Sequence, residues 1–300
     1  MVPNNNTSTQ SSGLLYPIPN NAKNAFLGLG RDSVSNPGLL FDRYLGFASG
    51  WKMGEEKKNN LQKVIAASKK IDEGLLNANL ARWKAMVAAQ NGISFKMEST
   101  WRFVTGMGRK GSLEVGFAFD RYGFPILPGS GLKGLARMRG LMALAERVGC
   151  PSLIELSKVL EEPDGKKSKA GWKEFDPDLK LIDKAIAFRR IFGTQTRAGS
   201  VWFFDAVPEA PLQLKMDVMT PHFPKYYQII EAPTDNQNPN PIPFLTVEKA
   251  VFWFGLTCTA PDEEDRKEYF DRAIDWLKYG LRDLGAGAKT NAGYGFFEPV

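Results

Sequence analysis

The chain has 300 residues, with 39 Lys or Arg against 33 Asp or Glu and one His, which gives a formal net charge of +6 and a pI of about 9.1. Its 43% hydrophobic and 12% aromatic residues can bury a sizeable core, which excludes disorder of the whole chain. Two cysteines and a single histidine exclude a disulfide framework and a zinc site of Cys/His spacing, so we expect no metal and no cofactor.

The first 92 residues are predicted to form a unit of their own. Residues 1–37 are rich in Asn, Ser, Pro and Gly, which favours an irregular arm. The helical spacing of apolar residues from Leu39 to Gln90 predicts a helical region. The arm has neither the charged start nor the apolar run of a signal peptide, and no apolar stretch is long enough to cross a bilayer. We therefore expect a cytoplasmic protein with no membrane partner.

Residues 93–300 alternate between strand and helix patterns. This order predicts an α+β fold with a βαββαβ core, in which two helices cover one face of an antiparallel sheet. Six prolines between Thr220 and Pro243 predict a long insertion near residues 220–243. A charged, poorly periodic stretch, Glu161–Asp183, is predicted to be a connection. The predicted strands are Ser94–Met97, Trp101–Val104, Leu113–Val115, Val201–Val207, Leu212–Val218, Thr246–Cys258 and Tyr294–Phe297, and the predicted helices are Gly131–Val148 and Pro261–Leu284.

The segment Leu127–Arg137, LPGSGLKGLAR, is the first candidate binding motif. Ser130 is placed to cap the helix that follows, and Lys133 and Arg137 lie four residues apart on one side of it. A helix N-terminus with a basic flank can hold a phosphate. An ordinary capped helix with solvated basic residues is the alternative. The local charge favours the phosphate site, because residues 96–147 contain nine Lys or Arg against four Asp or Glu.

The second motif is the glycine-rich stretch Gly285–Val300, GAGAKTNAGYGFFEPV. Its spacing fits neither the P-loop nor the dinucleotide-binding pattern, and too few residues follow it for the βαβ unit that either requires. Gly287 can bring the backbone close to a phosphate, and Lys289, Thr290 and Asn291 add one cation and two hydrogen-bonding side chains. A plain helix-to-strand connection is the alternative.

Two further segments add basic charge near these motifs. The stretch Ile191–Ala206 is predicted to hold a turn before a strand, with Arg197 in the turn, although the segment taken alone favours a surface turn without function. The loop Gly106–Gly111 contributes Arg109. The aromatic run Trp202–Phe204 is predicted to be buried, since adjacent aromatic side chains point to both faces of a strand.

Together these motifs resemble the RAMP family, the repeat-associated proteins of CRISPR systems. That family is recognised by a PGSxLKG-type segment opening the first helix and a GxGxKTxxGYG-type loop before the last strand. This chain has PGSGLKG over residues 128–134 and GAGAKTNAGYG over residues 285–295. Further segments resemble RAMP subunits of type III-B effector complexes, namely Trp101–Gly108, Tyr122–Gly134, Ile191–Thr194 and Met219–Tyr227.

The resemblance implies a ferredoxin-like (RRM-like) core and a role in an RNA-guided complex. The partners it implies are a CRISPR RNA (crRNA), the complementary target RNA and the other type III-B effector subunits. Ser130, Lys133, Arg137, Gly287, Lys289, Thr290, Asn291, Arg109 and Arg197 are then the predicted RNA contacts.

The resemblance also bears on catalysis. RAMP subunits that cleave target RNA use an Asp in the loop after the first strand, and the loop Gly106–Gly111 has no carboxylate. We therefore predict a subunit without catalysis of its own. One alternative is a RAMP-type crRNA-processing endoribonuclease that uses His222, the one histidine, as acid or base. Another is a generic RRM-like protein unconnected to CRISPR, which would need exposed aromatic residues on its sheet.

Overall fold

The computed structural model describes residues 13–30, 34–109, 111, 113, 115–220, 229 and 241–300, without the side chains of residues 166 and 167. Most of the Pro-rich insertion, including His222, lies outside the described residues. The fold mixes helices with antiparallel sheets. None of the helices in the described ranges combines the length and hydropathy of a membrane span.

The N-terminal region is helical, as predicted from residue 39 onward. Its helices are α1 (Asn20–Gly28), α2 (Pro37–Arg43), α3 (Glu56–Ser68) and α4 (Glu73–Ala89). The prediction of an irregular arm is wrong for α1, whose Phe26 is buried and stacks on Tyr44 at a ring distance of 4.5 Å. Asp72 caps α4 by accepting from the N–H groups of Gly74 and Leu75. The division of the chain at residue 92 stays a prediction, because buried residues from both parts join one hydrophobic cluster.

The main sheet carries four strands in the order β10-β1-β9-β5, and neighbouring strands are antiparallel. On the same side of β9 as β5, but farther along β9, the short strand β6 also pairs with it. Along the chain, helix α5 lies between β1 and β5, and helix α9 lies between β9 and β10. These elements are β1 (Ile93–Ser99), α5 (Gly129–Val148), β5 (Val201–Phe203), β6 (Val207–Pro208), β9 (Val251–Cys258), α9 (Glu263–Asp283) and β10 (Phe297–Pro299).

Alternate residues of β9 face different layers, because side chains of a strand alternate between faces. Gly255 faces α4, where a Cβ would lie 2.7 Å from the Trp83 ring. Phe254 faces the other way and stacks on Phe95, over which the Lys278 ammonium of α9 lies 4.8 Å from the ring centre. The sheet is therefore covered by α4 on one face and by α9 on the other.

A second sheet has the order β2-β8-β7, formed by β2 (Arg102–Phe103), β8 (Ile242–Glu248) and β7 (Leu214–Met219). Phe103 joins it to the main sheet, since its ring packs 5.3 Å from Phe252 and 5.7 Å from Phe297, and all three are fully buried. Each such phenylalanine contributes about 1.5–3 kcal/mol to folding. The predicted single strand Thr246–Cys258 is wrong, because Lys249 adopts a positive φ of 43° and breaks it into β8 and β9.

Several predicted elements differ from the structure. No strand is formed by residues 113 and 115, although the N–H of Gly116 donates to the Met107 carbonyl. The predicted strand Val201–Val207 splits into β5 and β6, and the last strand begins at Phe297 rather than Tyr294. The predicted connection Glu161–Asp183 instead contains one complete helix and overlaps a helix at either end, and a short hairpin follows. These elements are α6 (Leu153–Glu161), α7 (Lys166–Lys173), α8 (Ile182–Phe192), β3 (Gly193–Thr194) and β4 (Arg197–Ala198).

Candidate nucleic-acid interface

A groove of about 490 Å³ brings the two glycine motifs together with the loop after β2. Its walls are the start of α5, the loop that follows Val104 and the first residues after α9. Seven of its lining residues are Gly or Ala, so the backbone is close to the surface of the groove. The lining residues are Thr105, Gly106, Met107, Gly108, Leu127, Pro128, Ser130, Gly131, Leu132, Leu135, Gly285, Ala286, Gly287 and Ala288.

The N-terminus of α5 is capped differently from the prediction. Pro128 is the N-cap residue, and Ser130, predicted as the cap, lies inside the first turn with an exposed side chain. A distant carboxylate supplies the missing acceptor, since the N–H of Gly129 donates to Asp205 Oδ1 at 2.7 Å. The N–H of Ser130 has no acceptor among the described residues. One orphan amide of the helix start is thus available at the groove.

The glycine loop, residues 285–295, is fixed to β2 through backbone hydrogen bonds. The N–H of Ala288 donates to the Val104 carbonyl at 2.9 Å, and the N–H of Gly295 donates to the Arg102 carbonyl at 2.8 Å. Gly287 has a φ of +90°, and a Cβ there would collide with the Val104 carbonyl. Glycine is required at this position for both reasons. Within the described residues, the Gly287 N–H has no acceptor.

Lys289 lies at the tip of the glycine loop and has a positive φ of 61°. Its ammonium lies 5.3 Å from the ring centre of Phe244 on β8 and has no carboxylate partner among the residues described. The short 3-10 turn that follows begins with Thr290, which is half-buried, and Asn291, which is exposed. Three of the predicted contacts therefore lie together beside the groove.

A polar network that sequence reasoning missed holds the end of the glycine loop. The Tyr294 hydroxyl donates to Asp217 Oδ2 at 2.6 Å, and Arg102 Nη1 donates to the same oxygen at 2.7 Å. Arg102 also pairs with Glu248 at 3.3 Å. The only sequence signal was the alternation of Asp217 with apolar residues on β7, which places it on one face of the strand.

This network shifts the pKa values of its members. Burial raises the pKa of Tyr294, and the hydrogen bond to Asp217 raises it further, to about 12. Burial alone would raise the pKa of Asp217, but the hydrogen bonds from Tyr294, from the Val218 N–H and from Arg102 outweigh it and hold that pKa below its ordinary value. Asp217 is therefore ionised in the folded protein near neutral pH.

The structure does not bring the remaining predicted cations into the groove lining. Lys133 is half-buried in α5, where burial and the positive charge of Arg137 both lower its pKa. Arg137 points to α6 and bonds Ser157 and Glu161. Arg109 is exposed next to Gly108 of the groove, and its guanidinium donates to the Phe117 carbonyl at 3.2 Å.

Arg197 is the other predicted cation that lies elsewhere. Its guanidinium pairs with Asp164 at 3.0 Å, and the buried Arg189 pairs with the second oxygen of the same carboxylate at 2.8 Å. This cluster lies among α6, α8 and the β3-β4 hairpin, where it joins these elements. Arg197 in the stretch Ile191–Ala206 therefore holds neighbouring elements together and does not line the groove.

The predicted burial of Trp202–Phe204 is wrong. Trp202 is 55% exposed, and Phe203 and Phe204 are half-buried. β5 lies at the edge of the main sheet, and Trp202 shares the sheet face of its cross-strand partner Thr257, where helix α4 ends at Ala89. Burial of this strand is thus no argument against a generic RNA-binding module.

Comparison with known proteins instead supplies the argument against a generic RNA-binding module. The sequence profile of the RAMP superfamily matches residues 99–298. The CRISPR system Cmr subunit Cmr6 of Pyrococcus furiosus is 34% identical over 242 residues, which are 70% of this chain and 68% of the relative. The crystal structure of Cmr6 from Pyrococcus furiosus aligns at 28% identity over 70% of this chain and 98% of that one, with a TM-score of 0.45.

A second solved structure is also similar. It is a cryo-EM structure of the type III-B Cmr-beta bound to cognate target RNA, of which one chain aligns at 21% identity, covering 93% of this chain and 85% of that one, with a TM-score of 0.49. The profile match covers two thirds of the sequence and includes both glycine motifs. The chain therefore belongs to the RAMP superfamily, and within it is similar to Cmr6.

Proposed function

We propose that this chain is a non-catalytic RNA-binding subunit of a type III-B CRISPR effector complex. It holds the sugar-phosphate backbone of the crRNA toward its 3′ end and packs against neighbouring RAMP subunits. The observation that carries the proposal is the groove in which the start of α5 and the glycine loop meet. The similarity of the chain to a Cmr subunit supports the assignment to this class of complex.

The groove suits a phosphate backbone rather than a base. Among the described residues, the backbone amides of Ser130 and Gly287 at the groove have no acceptor, and such amides bind phosphate oxygens without regard to sequence. Lys289 and Arg109 provide charge at its border, and Thr290 and Asn291 provide neutral donors. A subunit that carries a guide must bind every guide sequence, because base pairing alone reads the target. Lys133, Arg137 and Arg197 act at most from the periphery.

The core supports this proposal through its topology. The chain order strand, helix, strand, strand, helix, strand is β1, α5, β5, β9, α9 and β10. Across the main sheet these strands lie in the order β10, β1, β9, β5, so that the fourth strand of the chain order lies beside the first, and the third lies between the first and the second. We infer a ferredoxin-like core from this order, with β2, β7 and β8 forming the second sheet outside it.

The loop after β2 supports the absence of catalysis. Residues 106–111 supply no carboxylate, whereas target-cleaving RAMP subunits use an Asp there. Gly106 and Arg109 are instead used structurally, because the Arg109 N–H donates to the Gly106 carbonyl at 2.9 Å. The nuclease activity of the complex then belongs to other subunits.

The experiment is co-expression of the chain with the other effector subunits, followed by sequencing of the RNA that co-purifies. We expect short RNAs that carry repeat sequence, and a Lys289→Ala variant that retains less of them as salt rises. Lys173→Ala, an exposed lysine on α7 far along the chain from both glycine motifs, is the matched control. Equal retention by wild type and Lys289→Ala at every salt concentration contradicts the groove. Cleavage of repeat RNA by the purified chain, abolished by His222→Ala, contradicts the absence of catalysis.

A further inference from the structure

Two turns meet beside the glycine loop and expose an aromatic ring and a cation that the groove does not use. The first turn joins β1 to β2 and contains Trp101, whose side chain is 42% exposed. The second joins β8 to β9 and contains Lys249, which is exposed. The Lys249 N–H donates to the Trp101 carbonyl at 3.2 Å, so the two residues are direct neighbours in space.

Both turns are held rigidly. The Thr100 N–H donates to the Phe296 carbonyl at 2.9 Å, and the Ser99 N–H donates to the Ala250 carbonyl at 2.9 Å. The buried Ser99 hydroxyl in turn accepts from the Ala250 N–H at 2.9 Å. The backbone that carries the exposed indole is therefore fixed, which lowers the entropy that the two turns would lose on binding a ligand.

The indole is continuous with the glycine loop. Its ring lies 4.9 Å from that of Tyr294, and the Arg102 guanidinium lies 5.4 Å from its centre. An extended chain of five residues reaches at most about 18 Å, so Trp101 lies within that distance of Gly106 in the groove. A few nucleotides of single-stranded RNA span this distance.

The charges around Trp101 favour a polyanion. Lys249 has no carboxylate partner among the residues that the structure describes, and it is held at a positive φ of 43°, a strained conformation for lysine. The nearby carboxylate of Glu248 already pairs with Arg102 and, at 3.7 Å, with Lys215. Within the described residues, Lys249 is therefore a cation at this corner that no ion pair neutralises.

We propose that Trp101 and Lys249 form a nucleotide subsite, in which the Trp101 indole stacks on a base of single-stranded RNA and the Lys249 ammonium binds an adjoining phosphate. This inference rests on the proposed function, because it extends the path of the RNA that the glycine loop holds. Stacking accepts any base, since every base has a π face, and so it preserves indifference to guide sequence. The neighbouring cation adds affinity without reading sequence.

The experiment compares crRNA affinity and ultraviolet cross-linking for assembled complexes that carry single substitutions. Trp101→Leu keeps an apolar contact with Tyr294 but cannot stack, and we expect about a tenfold loss of affinity. Trp101→Phe retains most of the affinity. Lys249→Ala lowers the slope of log affinity against log salt by about one. Trp202→Ala, which removes another exposed tryptophan, is the control and leaves the affinity unchanged.

The outcomes separate the inference from the proposed function. In the wild type, cross-linked nucleotides map by mass spectrometry to the peptide that contains Trp101. Full affinity in Trp101→Leu and Lys249→Ala, together with reduced affinity in Lys289→Ala, overturns the subsite and leaves the groove intact. Unchanged affinity in all three variants overturns both. Loss of a neighbouring subunit from Trp101→Leu complexes, with the affinity of the remaining complex for crRNA unchanged, shows a protein contact and also overturns the subsite.

Discussion

The Tyr294 hydroxyl donates a hydrogen bond of 2.6 Å to Asp217, which lies 77 residues earlier on β7. Through this bond the glycine loop after α9 is attached to the second sheet. Arg102 on β2 connects the strand to the loop, since its side chain pairs with Asp217 and its carbonyl accepts from the N–H of Gly295. The position of the loop is thus determined by two distant parts of the chain, β2 and β7.

Tyr294→Phe tests the contribution of this hydrogen bond to stability. The substitution keeps the ring packed against Trp101 and Phe244 but leaves Asp217 with one donor fewer. We expect a loss of about 1.5–3 kcal/mol in the free energy of unfolding, the range for a hydrogen bond to a charged group. Urea denaturation measures it as a lower midpoint at an unchanged m-value. Tyr279→Phe, at an exposed position on α9, serves as the control; equal midpoints for both variants contradict the prediction.

Acidification should weaken the same network. The folded-state pKa of Asp217 is held below its ordinary value, so its ionised form stabilises the fold at pH values above the unfolded-state pKa, about 3.9. That stabilisation is lost as the pH falls through the folded-state pKa. The destabilisation caused by Asp217→Asn, measured by urea unfolding, should therefore be larger at pH 7 than at pH 3. A pH-independent difference means that the Asp217 charge does not contribute.

Alkaline titration supplies a separate check on Tyr294. Its pKa is raised to about 12, so its neutral form stabilises the fold below the unfolded-state pKa of about 10. This contribution is lost as the pH rises from 10 to 12. Phenolate absorbance near 295 nm follows the ionisation of the tyrosines. In Tyr294→Phe, one tyrosine fewer should ionise at pH values near 12 than in the wild type. Identical titration curves for the two proteins contradict the assignment.

Gly287→Ala should distort the glycine loop. A Cβ at this position meets the Val104 carbonyl, and the φ of +90° is unfavourable for alanine, so we expect a loss of about 1–3 kcal/mol and weaker RNA retention in the assembled complex. Gly134→Ala is the matched control, because a Cβ on this residue of α5 meets open space. In a helix interior that change stabilises by about 0.5–1 kcal/mol. Full RNA retention by Gly287→Ala would show that the loop backbone is not a binding element.

Asp205 should oppose RNA binding while it stabilises α5. Asp205→Asn keeps an oxygen acceptor for the Gly129 N–H but removes a negative charge beside the groove. We expect nearly unchanged stability and an affinity for RNA that rises by roughly two- to fivefold, as for the loss of one surface charge interaction. Asp205→Ala should cost about 1 kcal/mol because the cap is lost. Titration of RNA into the three complexes at low salt checks both effects, and equal affinities contradict the electrostatic part.

Sequence reasoning succeeded where a feature depends on neighbouring residues. The spacing of apolar residues predicted α5 and α9 to within a few positions, and the glycine pattern indicated the loop that Gly287 and Lys289 form. It was wrong where the partner is distant. Ser130 has the composition of a cap, but the acceptor comes from Asp205, and the burial of β5 depends on its place at the sheet edge.

The same limit applies to the arginines. Arg137 and Arg197 are free cations in the sequence, but in the structure they pair with Glu161 and Asp164, which lie 24 and 33 residues away. Those carboxylates fall in the stretch predicted to be an irregular connection. Because its helices were missed, the packing that brings the charges together could not be foreseen.

The pairing of β7 with β8 has a consequence for how this family can vary. Asp217 and Phe244 are cross-strand partners, and each contacts the glycine loop, Asp217 through Tyr294 and Phe244 beneath Lys289. Their register is therefore set from outside the hairpin, independently of the number of residues between Met219 and Ile242. Evolution can lengthen, shorten or exchange that segment at little entropic cost and leave the glycine loop in place. The length of the segment between β7 and β8 and the position of the glycine loop are in this sense separable traits of one chain.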